Sequence, residues 1–327
     1  MDNPPQEEPI DATEENEKCT YTPVDWPLHG LNVGFYTNGR DPNIDPTLTE
    51  EELREKIEKL APYTKWVRTF GSTNGLEKVG KIANEFCLKL AMGVWLSDDL
   101  QANETEIASA IEVANEGYAA IVIVGSAVFL SNDLSEAELL EYIGRVKAAV
   151  PQEVQVTTAD VYDVLLAHPQ ILETVDVIMP NYYPFWQGIA LDSALEALHN
   201  WHKEVVSVAK GKEIIISETG WASSGQANNE AIPNSLNATE YLLNFVSWAN
   251  SLNIKYFYFS ALDEEWKNEP FEVGPYWGIM DGDGNVKPGM NQTFSCITYP
   301  DNWSCNELVG GKGEPFIEFT EINDDLK

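Results

Sequence analysis

Residues 119–158 read AAIVIVGSAVFLSNDLSEAELLEYIGRVKAAVPQEVQVTT, and their pattern indicates the fold class. It opens with an apolar run, residues 119–124, that is typical of a buried strand. Ser135 and Glu138 then form the pattern of a capping box, and apolar residues recur at helical spacing after them. A second strand-like run, residues 154–158, follows. A strand, a helix and another strand in this order predict a β-α-β unit with parallel strands.

The same alternation extends over most of the chain. Thr49 and Glu52 repeat the capping-box pattern before another helix-length segment. The strand-like runs are residues 31–36, 65–70, 88–96, 119–124, 154–158, 175–179, 213–217 and 254–259. Eight strands separated by helices predict an α/β fold, specifically a single-domain (β/α)8 TIM barrel. Two stacked open α/β domains are the alternative that the same alternation allows.

The composition divides the chain into three expected segments. Residues 1–24 are rich in Pro and Glu and poor in apolar residues, which predicts an acidic, disordered leader. Residues 25–290 hold the strand and helix patterns and are expected to form the barrel. Residues 291–327 are expected to form a C-terminal extension.

The cysteines and the first residues bear on localisation. Cys296 and Cys305 lie nine residues apart in a loop-rich segment, which favours a small disulfide loop in the extension. Cys87 lies in an amphipathic stretch and is expected to be a buried thiol. Residues 1–9 carry neither a basic nor an apolar signal region. We expect an exported protein, extracellular, cell-surface or periplasmic, whose signal segment is absent from this chain; a cytosolic protein is the alternative.

The net charge of -33 excludes several classes of partner. Nucleic acids and anionic membrane surfaces are bound by basic patches, and this chain offers 20 Lys and Arg against 53 Asp and Glu. The sequence contains no apolar stretch long enough to insert into a membrane. Self-repulsion of the charge favours a soluble monomer. A neutral ligand is compatible with this surface.

Aromatic and polar residues collect where the strand-like runs end. In a (β/α)8 barrel the carboxyl ends of the strands carry the functional site. Rings at this rim suit a ligand with flat apolar faces, such as a sugar, whose hydroxyl groups bind nearby polar side chains. The alternative is that the polar residues only mark the ends of the strands and bind no ligand. The rings in question are Tyr36, Tyr182, Phe185, Trp186, Trp221 and Trp266.

Residues 217–225 (SETGWASSG) resemble the nucleophile motif of glycoside hydrolase family 17, the β-1,3-glucanases and β-1,3-glucanosyltransferases. Other segments resemble strands of the same family, and together they span about residues 31–289 in the family's order. These segments are 34–36 (GFY), 67–71 (VRTFG), 181–186 (NYYPFW), 263–267 (DEEWK) and 276–281 (YWGIMD).

The resemblance implies a retaining glycosidase with Glu218 as its nucleophile. Such an enzyme holds two carboxyl groups about 5–5.5 Å apart, one that attacks the sugar and one that protonates the leaving oxygen. Ser126 lies within the family's range at the fourth strand, but Ala127 stands where the family has its acid/base Glu. Since general acid/base catalysis contributes about 10²–10⁴-fold, this chain is expected to bind glucan and hardly cleave it.

Two explanations for Ala127 are open. A deliberate Glu-to-Ala knockout leaves the rest of the site whole, whereas a natural binding protein descended from an enzyme accumulates changes elsewhere. The intact motif around Glu218 favours the knockout.

The resemblance also implies substrate-binding roles at the strand ends. No cofactor is expected, and no metal, because His29, His168, His199 and His202 show no ligand spacing beyond the last two. The expected ring-stacking residues are Tyr36, Tyr182, Phe185, Trp186, Trp221 and Trp266. The residues expected to contact sugar hydroxyls or to tune Glu218 are Arg68, Ser126, Asn181, Asp263, Glu264 and Lys267.

The function that the resemblance implies is an endo-acting β-1,3-glucanase for laminarin-type glucan, inactivated at Ala127. A β-1,3-glucanosyltransferase with the same chemistry is one alternative. A natural, non-catalytic β-glucan-binding protein is the other. The expected partner in each case is a β-1,3-glucan oligosaccharide or polysaccharide.

Overall fold

A computed structural model describes residues 23–25 and 27–294 of the chain. The predicted leader, but for its last two residues, and almost all of the predicted extension lie outside these residues. The predicted loop between Cys296 and Cys305 lies outside them as well.

Eight strands alternate with helices in the described residues. The strands are β1 (Leu28–Asn32), β2 (Thr64–Arg68), β3 (Lys89–Val94), β4 (Ile121–Ser126), β5 (Gln155–Val161), β6 (Met179–Asn181), β7 (Ile215–Ile216) and β8 (Lys255–Tyr256). The helices are α1 (Glu50–Leu60), α2 (Val79–Glu85), α3 (Leu100–Asn115), α4 (Glu136–Ala149), α5 (Tyr162–Ala167), α6 (Pro169–Thr174), α7 (Leu191–Val208) and α8 (Ser235–Ser251). Short 3-10 helices span Ala61–Tyr63, Leu76–Lys78, Pro270–Glu272, Gly274–Tyr276 and Met290–Phe294.

The strands close into a ring. Strands β1 to β6 are parallel neighbours in chain order, and β7 pairs with β8. The amide of Ile215 donates to the carbonyl of Ile178 over 2.9 Å, which joins β7 to the β6 side. The amide of Tyr258 donates to the carbonyl of Gly30 over 2.9 Å, which joins β8 to β1. The predicted (β/α)8 TIM barrel is therefore confirmed, and the two-domain alternative is excluded.

Both predicted capping boxes are present. Thr49 and Glu52 cap α1 reciprocally, and Ser135 and Glu138 cap α4 in the same way. Each satisfies amide groups that the first helical turn leaves unpaired.

The first strand begins earlier than predicted. The apolar run at residues 31–36 suggests a strand there, but β1 covers Leu28–Asn32. His29 and Gly30 interrupt the apolar pattern, although both lie in the strand; the ring of Phe257 fills the space beside Gly30. A pattern that counts apolar side chains therefore misses the start of β1.

Alternate strand residues face two different cores. One core lies between the strands and the helices and includes Leu90, Met92 and Val94 of β3. The other lies on the barrel axis, and the partly buried Trp66 packs against it. Its buried members are Ala91, Ile121, Ile123, Ala159, Val177, Met179, Ile215 and Phe257. Side chains of the same parity further along each strand therefore face the mouth of the barrel.

Cys87 differs from its prediction. It is exposed and disulfide-bonded, whereas the amphipathic pattern suggested a buried thiol. The residue lies in the turn between α2 and β3 with φ of 54°, a conformation that ends the helix and turns the side chain to the surface.

No helix in residues 23–25 and 27–294 combines the length and the apolar character needed to cross a membrane.

Candidate functional site

Glu218 and Arg68 form a buried ion pair at the carboxyl end of the barrel. Arg68 is the last residue of β2, and its Nη1 lies 2.7 Å from Glu218 Oε1. The arginine side chain is 0% exposed and the glutamate side chain 10% exposed. The same Nη1 donates to Asn32 Oδ1 over 2.8 Å and to the carbonyl of Ser217 over 3.0 Å. Charge-assisted hydrogen bonds of this kind fix the carboxylate in one orientation.

Tyr183 holds the second oxygen of Glu218. Its hydroxyl donates to Glu218 Oε2 over 2.9 Å. Burial, and then the charge of Glu218, raise the pKa of Tyr183 well above its usual value, so the phenol stays protonated and donates. The carboxylate thus accepts a hydrogen bond on each oxygen, and its position is set by groups from β2 and from the segment after β6.

Tyr183 is not among the predicted site residues, although the alternation of side chains along β6 and beyond contains the signal. Asn181 ends β6 and accepts a hydrogen bond from the hydroxyl of Ser217, close to Glu218. Tyr182 points the other way and lies near His202 Nδ1, 3.3 Å away on α7. The side chain of Tyr183 points to the same side of the chain as that of Asn181, towards Glu218. Asn32, also missed, is a polar residue on the axis-facing side of β1.

Ala127 lies directly after β4, beside the ion pair. The hydroxyl of Ser126 accepts from Arg68 Nη2 over 2.9 Å and lies 3.5 Å from Glu218 Oε1. Ala127 has φ of 56°, a left-handed conformation that costs a non-glycine residue about 1 kcal/mol. Its amide donates to the carbonyl of Ala159 over 2.8 Å. The chain therefore turns sharply at residue 127, next to the nucleophile candidate.

Asp160 stabilises the backbone that follows this turn through hydrogen bonds. It is 1% exposed, and its carboxylate accepts from the amide of Phe129 over 3.1 Å and from that of Val161 over 2.8 Å. Burial raises the pKa of Asp160, and these amide contacts oppose that effect. The carboxyl group is thus engaged with the backbone that follows Ala127.

The segment after β8 contains a second ion pair. Lys267 Nζ lies 2.5 Å from Glu264 Oε2, and the indole of Trp266 donates to Glu264 Oε1 over 3.1 Å. Lys267 is thus paired with Glu264, whereas Arg68 is the cation in contact with Glu218. The ammonium group also lies 4.6 Å from the centre of the Phe259 ring.

Two further carboxyl groups of this segment have their own partners. Asp263 accepts from Lys287 Nζ over 2.7 Å and from the amide of Gly278 over 2.9 Å. Glu269, which is not among the predicted site residues, accepts from the indole of Trp277 over 2.7 Å. Burial raises the pKa of both carboxyl groups. A cleft of about 440 Å³ lies beside Glu269, lined among others by Lys267, Gln226 and Tyr276.

The predicted aromatic rim divides into accessible and buried rings. Tyr36 and Trp266 are half-buried and meet edge to face at 6.5 Å. Trp186 is also half-buried. Tyr182, Phe185 and Trp221 are at most 1% exposed, so they offer no ring face to a ligand and the prediction for these three is corrected. They pack in the protein interior, where Phe185 meets Trp221 edge to face at 5.3 Å.

In the described part of the chain, no group of three or more His, Cys, Asp or Glu side chains could hold a metal ion.

Comparison with known proteins places this site in a family. A glucan 1,3-beta-glucosidase of Schizosaccharomyces pombe is 29% identical over 268 residues, which cover 75% of this chain and 82% of that protein. The structure of a glycoside hydrolase family 17 β-1,3-glucanosyltransferase from Rhizomucor miehei is similar with a TM-score of 0.71 and 28% identity, covering 80% of this chain and 96% of that one. An active-site mutant of the Rhizomucor miehei β-1,3-glucanosyltransferase in complex with laminaritriose gives a TM-score of 0.72 at 27% identity, with the same coverage.

The family profile of the BtgE/BtgC glycoside hydrolase domain matches residues 30–278, which include every strand end described above. The chain therefore belongs to the BtgE/BtgC glycoside hydrolase domain family, with a barrel of the glycoside hydrolase family 17 type.

Proposed function

We propose that this chain is a retaining-type β-1,3-glucan glycosidase, with Glu218 as nucleophile, that binds laminarin-type glucan and hardly cleaves it. The observation that carries the proposal is the carboxylate of Glu218, held on one oxygen by Arg68 and on the other by Tyr183 at the barrel mouth. A fixed, ionised carboxylate is what attack on a sugar carbon requires.

The acid/base role has no occupant at residue 127. Ala127 follows Ser126, whose hydroxyl is in reach of Glu218, and a methyl group can neither donate nor accept a proton. The nearby carboxyl groups are engaged elsewhere: Asp160 with backbone amides, Glu264 with Lys267, and Glu269 with Trp277. Slow cleavage follows, because departure of a sugar alcohol needs a proton donor.

The accessible aromatic rings near Glu218 and the relatives support the proposed substrate class. The half-buried rings of Tyr36, Trp186 and Trp266 supply apolar faces for sugar rings. The related Rhizomucor miehei structure is a complex with laminaritriose, and the related Schizosaccharomyces pombe protein is a glucan 1,3-beta-glucosidase. Endo-acting cleavage within the chain is the mode that we propose.

Transfer to a second sugar is the alternative reaction, and the two Rhizomucor miehei glucanosyltransferase structures favour it specifically. In transfer, a sugar hydroxyl rather than water attacks the glycosyl-enzyme intermediate. Both reactions use Glu218 in the same role.

We also propose that the protein acts as an exported monomer with residues 25–290 as its catalytic unit. The disulfide bond of Cys87 supports an oxidising compartment. The charge of -33 supports a soluble monomer.

Calorimetric titration of the unaltered chain tests the substrate class. We expect laminarihexaose to bind at least tenfold more tightly than cellohexaose, because the related Rhizomucor miehei structure is a complex with laminaritriose. A second test uses the double variant Tyr36→Ala, Trp266→Ala. It removes a pair of accessible rings and should weaken binding of laminarihexaose. Tighter binding of cellohexaose would overturn the proposed substrate class.

A further inference from the structure

Asn32 is a buried amide that links β1 to the ends of β7 and β8 beside the Glu218 site. It is the last residue of β1, is 0% exposed and is paired in register with Arg68 of β2. Its Nδ2 donates to the carbonyl of Ser217 over 3.0 Å and to that of Phe257 over 3.1 Å. These two residues directly follow β7 and β8. The side chain is therefore held by two strands besides its own.

The two carbonyl groups fix the orientation of the Asn32 amide. A carbonyl oxygen accepts hydrogen bonds and cannot donate them, so the NH2 group of the amide must face Ser217 and Phe257. The amide oxygen then faces Arg68 and accepts from its Nη1 over 2.8 Å. Turning the amide round would place its oxygen against two carbonyl oxygens and its NH2 group against a guanidinium. The amide of Asn32 thus satisfies both of its sides in one orientation.

The Arg68 guanidinium is oriented through its two terminal nitrogens. Its buried Nε has no hydrogen-bond partner within residues 23–25 and 27–294. Nη1 contacts Asn32 and Glu218 Oε1, and Nη2 donates to Ser126. Of the hydrogen-bond partners of Arg68 in the part of the chain that the structure describes, Glu218 alone carries a charge. Because Asn32 is neutral, the positive charge of the buried guanidinium acts on a single carboxylate.

We propose that Asn32 is a positioning residue for the nucleophile: its neutral amide orients the Arg68 guanidinium and leaves the positive charge of that group to Glu218. An aspartate of nearly the same shape would compete with Glu218 for the one cation, because a single guanidinium compensates only one of two carboxylates. Asn32 acts through Arg68 and is too deeply buried to contact a sugar. The inference rests on the proposed function and adds to it how the nucleophilic carboxylate is kept ionised and aligned.

The other charged or titratable groups around the Glu218 site come from β5 and from the segments after β6 and β8. They are Asp160, Tyr183, Glu264, Lys267 and Glu269. None of these described side chains forms a hydrogen bond or an ion pair with Asn32 or Arg68. A change of charge at residue 32 therefore acts on Glu218 through Arg68, while the remaining groups stay the same in every variant.

The test measures kcat/KM for release of dinitrophenolate from 2,4-dinitrophenyl β-laminaribioside as a function of pH. This leaving group departs without a proton, so the fall of the rate at low pH follows the ionisation of the nucleophile, and the missing acid at residue 127 plays no part. We expect Asn32→Asp to raise the pH of half-maximal kcat/KM by about one to two pH units, because the new carboxylate draws the charge of Arg68 away from Glu218.

Asn32→Ser tests the positioning role without a change of charge. Residue 32 stays neutral, so the pH of half-maximal kcat/KM should stay where it is in the unaltered chain. The loss of the fixed amide should lower the maximal kcat/KM about tenfold, because the guanidinium and the carboxylate are less well aligned. Calorimetric binding of laminarihexaose should be unchanged, because Asn32 does not contact the sugar.

Asn103→Asp is the matched control for the buried charge. Asn103 is also 0% exposed, and its side chain accepts from the amide of Ser97 over 2.9 Å and donates to the carbonyl of the same residue over 2.7 Å. The substitution places a carboxyl group in an equally buried amide position that has no contact with Arg68. We expect it to lower the thermal midpoint and to leave the pH of half-maximal kcat/KM unchanged. Circular dichroism at each pH shows which variants are folded.

Three results overturn the inference while the proposed function stands. The first is an Asn32→Asp profile that coincides with that of Asn103→Asp. The second is an equal shift in Asn32→Ser, since no charge would then be involved. The third is an undiminished kcat/KM in Asn32→Ser, which also decides the case if Asn32→Asp does not fold. If the unaltered chain releases dinitrophenolate no faster than Glu218→Gln, both the nucleophile and the inference are wrong.

Discussion

Replacing Ala127 by glutamate is expected to raise the rate of laminarihexaose cleavage by about 10²–10⁴-fold. Residue 127 directly follows Ser126, whose hydroxyl lies 3.5 Å from Glu218 Oε1. Residue 127 already has a left-handed backbone in the alanine form, so glutamate adds no new backbone strain. Initial rates from chromatography of the products measure the effect.

The products of Ala127→Glu also separate the two candidate reactions. Shorter oligosaccharides alone indicate hydrolysis, and products longer than the substrate indicate transfer. The matched control is Ala127→Gln, which has the same size and backbone demands but no acid. If the glutamate variant folds, binds laminarihexaose and is no faster than the glutamine variant, residue 127 is not the acid/base position.

Replacing Arg68 by methionine is expected to lower the free energy of unfolding by about 3–5 kcal/mol at pH 7. The substitution leaves the carboxylate of Glu218, whose side chain is 10% exposed, without its counter-charge. It also removes the donors to Asn32 and Ser126. Urea unfolding measured by circular dichroism gives the change.

The control for this prediction is Arg145→Met. Arg145 forms an ion pair with Glu104 at 2.5 Å, but both side chains are more than 40% exposed, so its loss should cost at most about 1 kcal/mol. The double variant Arg68→Met, Glu218→Gln should recover part of the lost stability, because it removes the unpaired charge. An Arg68→Met variant as stable as Arg145→Met would contradict the buried ion pair.

The fold was predictable because it depends on repeated, local patterns. Eight apolar runs, two capping boxes and helix-length spacers all specify the same barrel, and a shift such as the one in β1 does not disturb the order of elements. In a barrel, the strand order then brings the carboxyl ends of distant segments together, so the region of the site followed as well.

The roles of single side chains were less predictable, because they depend on which face of a strand a residue occupies. Tyr182 and Tyr183 are adjacent and chemically identical, yet one lies in the outer core near His202 and the other bonds Glu218. Lys267 is expected near Glu218 from the family pattern, but it forms an ion pair with Glu264, three residues before it in the chain. The composition of a strand end predicts neither the orientation of the two tyrosines nor the partner of Lys267. The alternation of side chains along a strand does predict the orientation of the tyrosines.

The central claim is that Glu218 attacks the sugar carbon, and azide trapping on the unaltered chain tests it most directly. The substrate is a 2,4-dinitrophenyl β-laminaribioside, whose leaving group needs no proton. Glu218 displaces dinitrophenolate to form a glycosyl ester, and azide then attacks the same carbon and releases the carboxylate. We predict a β-glycosyl azide from the unaltered chain and none from Glu218→Gln. An α-glycosyl azide from the unaltered chain would contradict the account. So would a β-glycosyl azide formed equally by the unaltered chain and by Glu218→Gln.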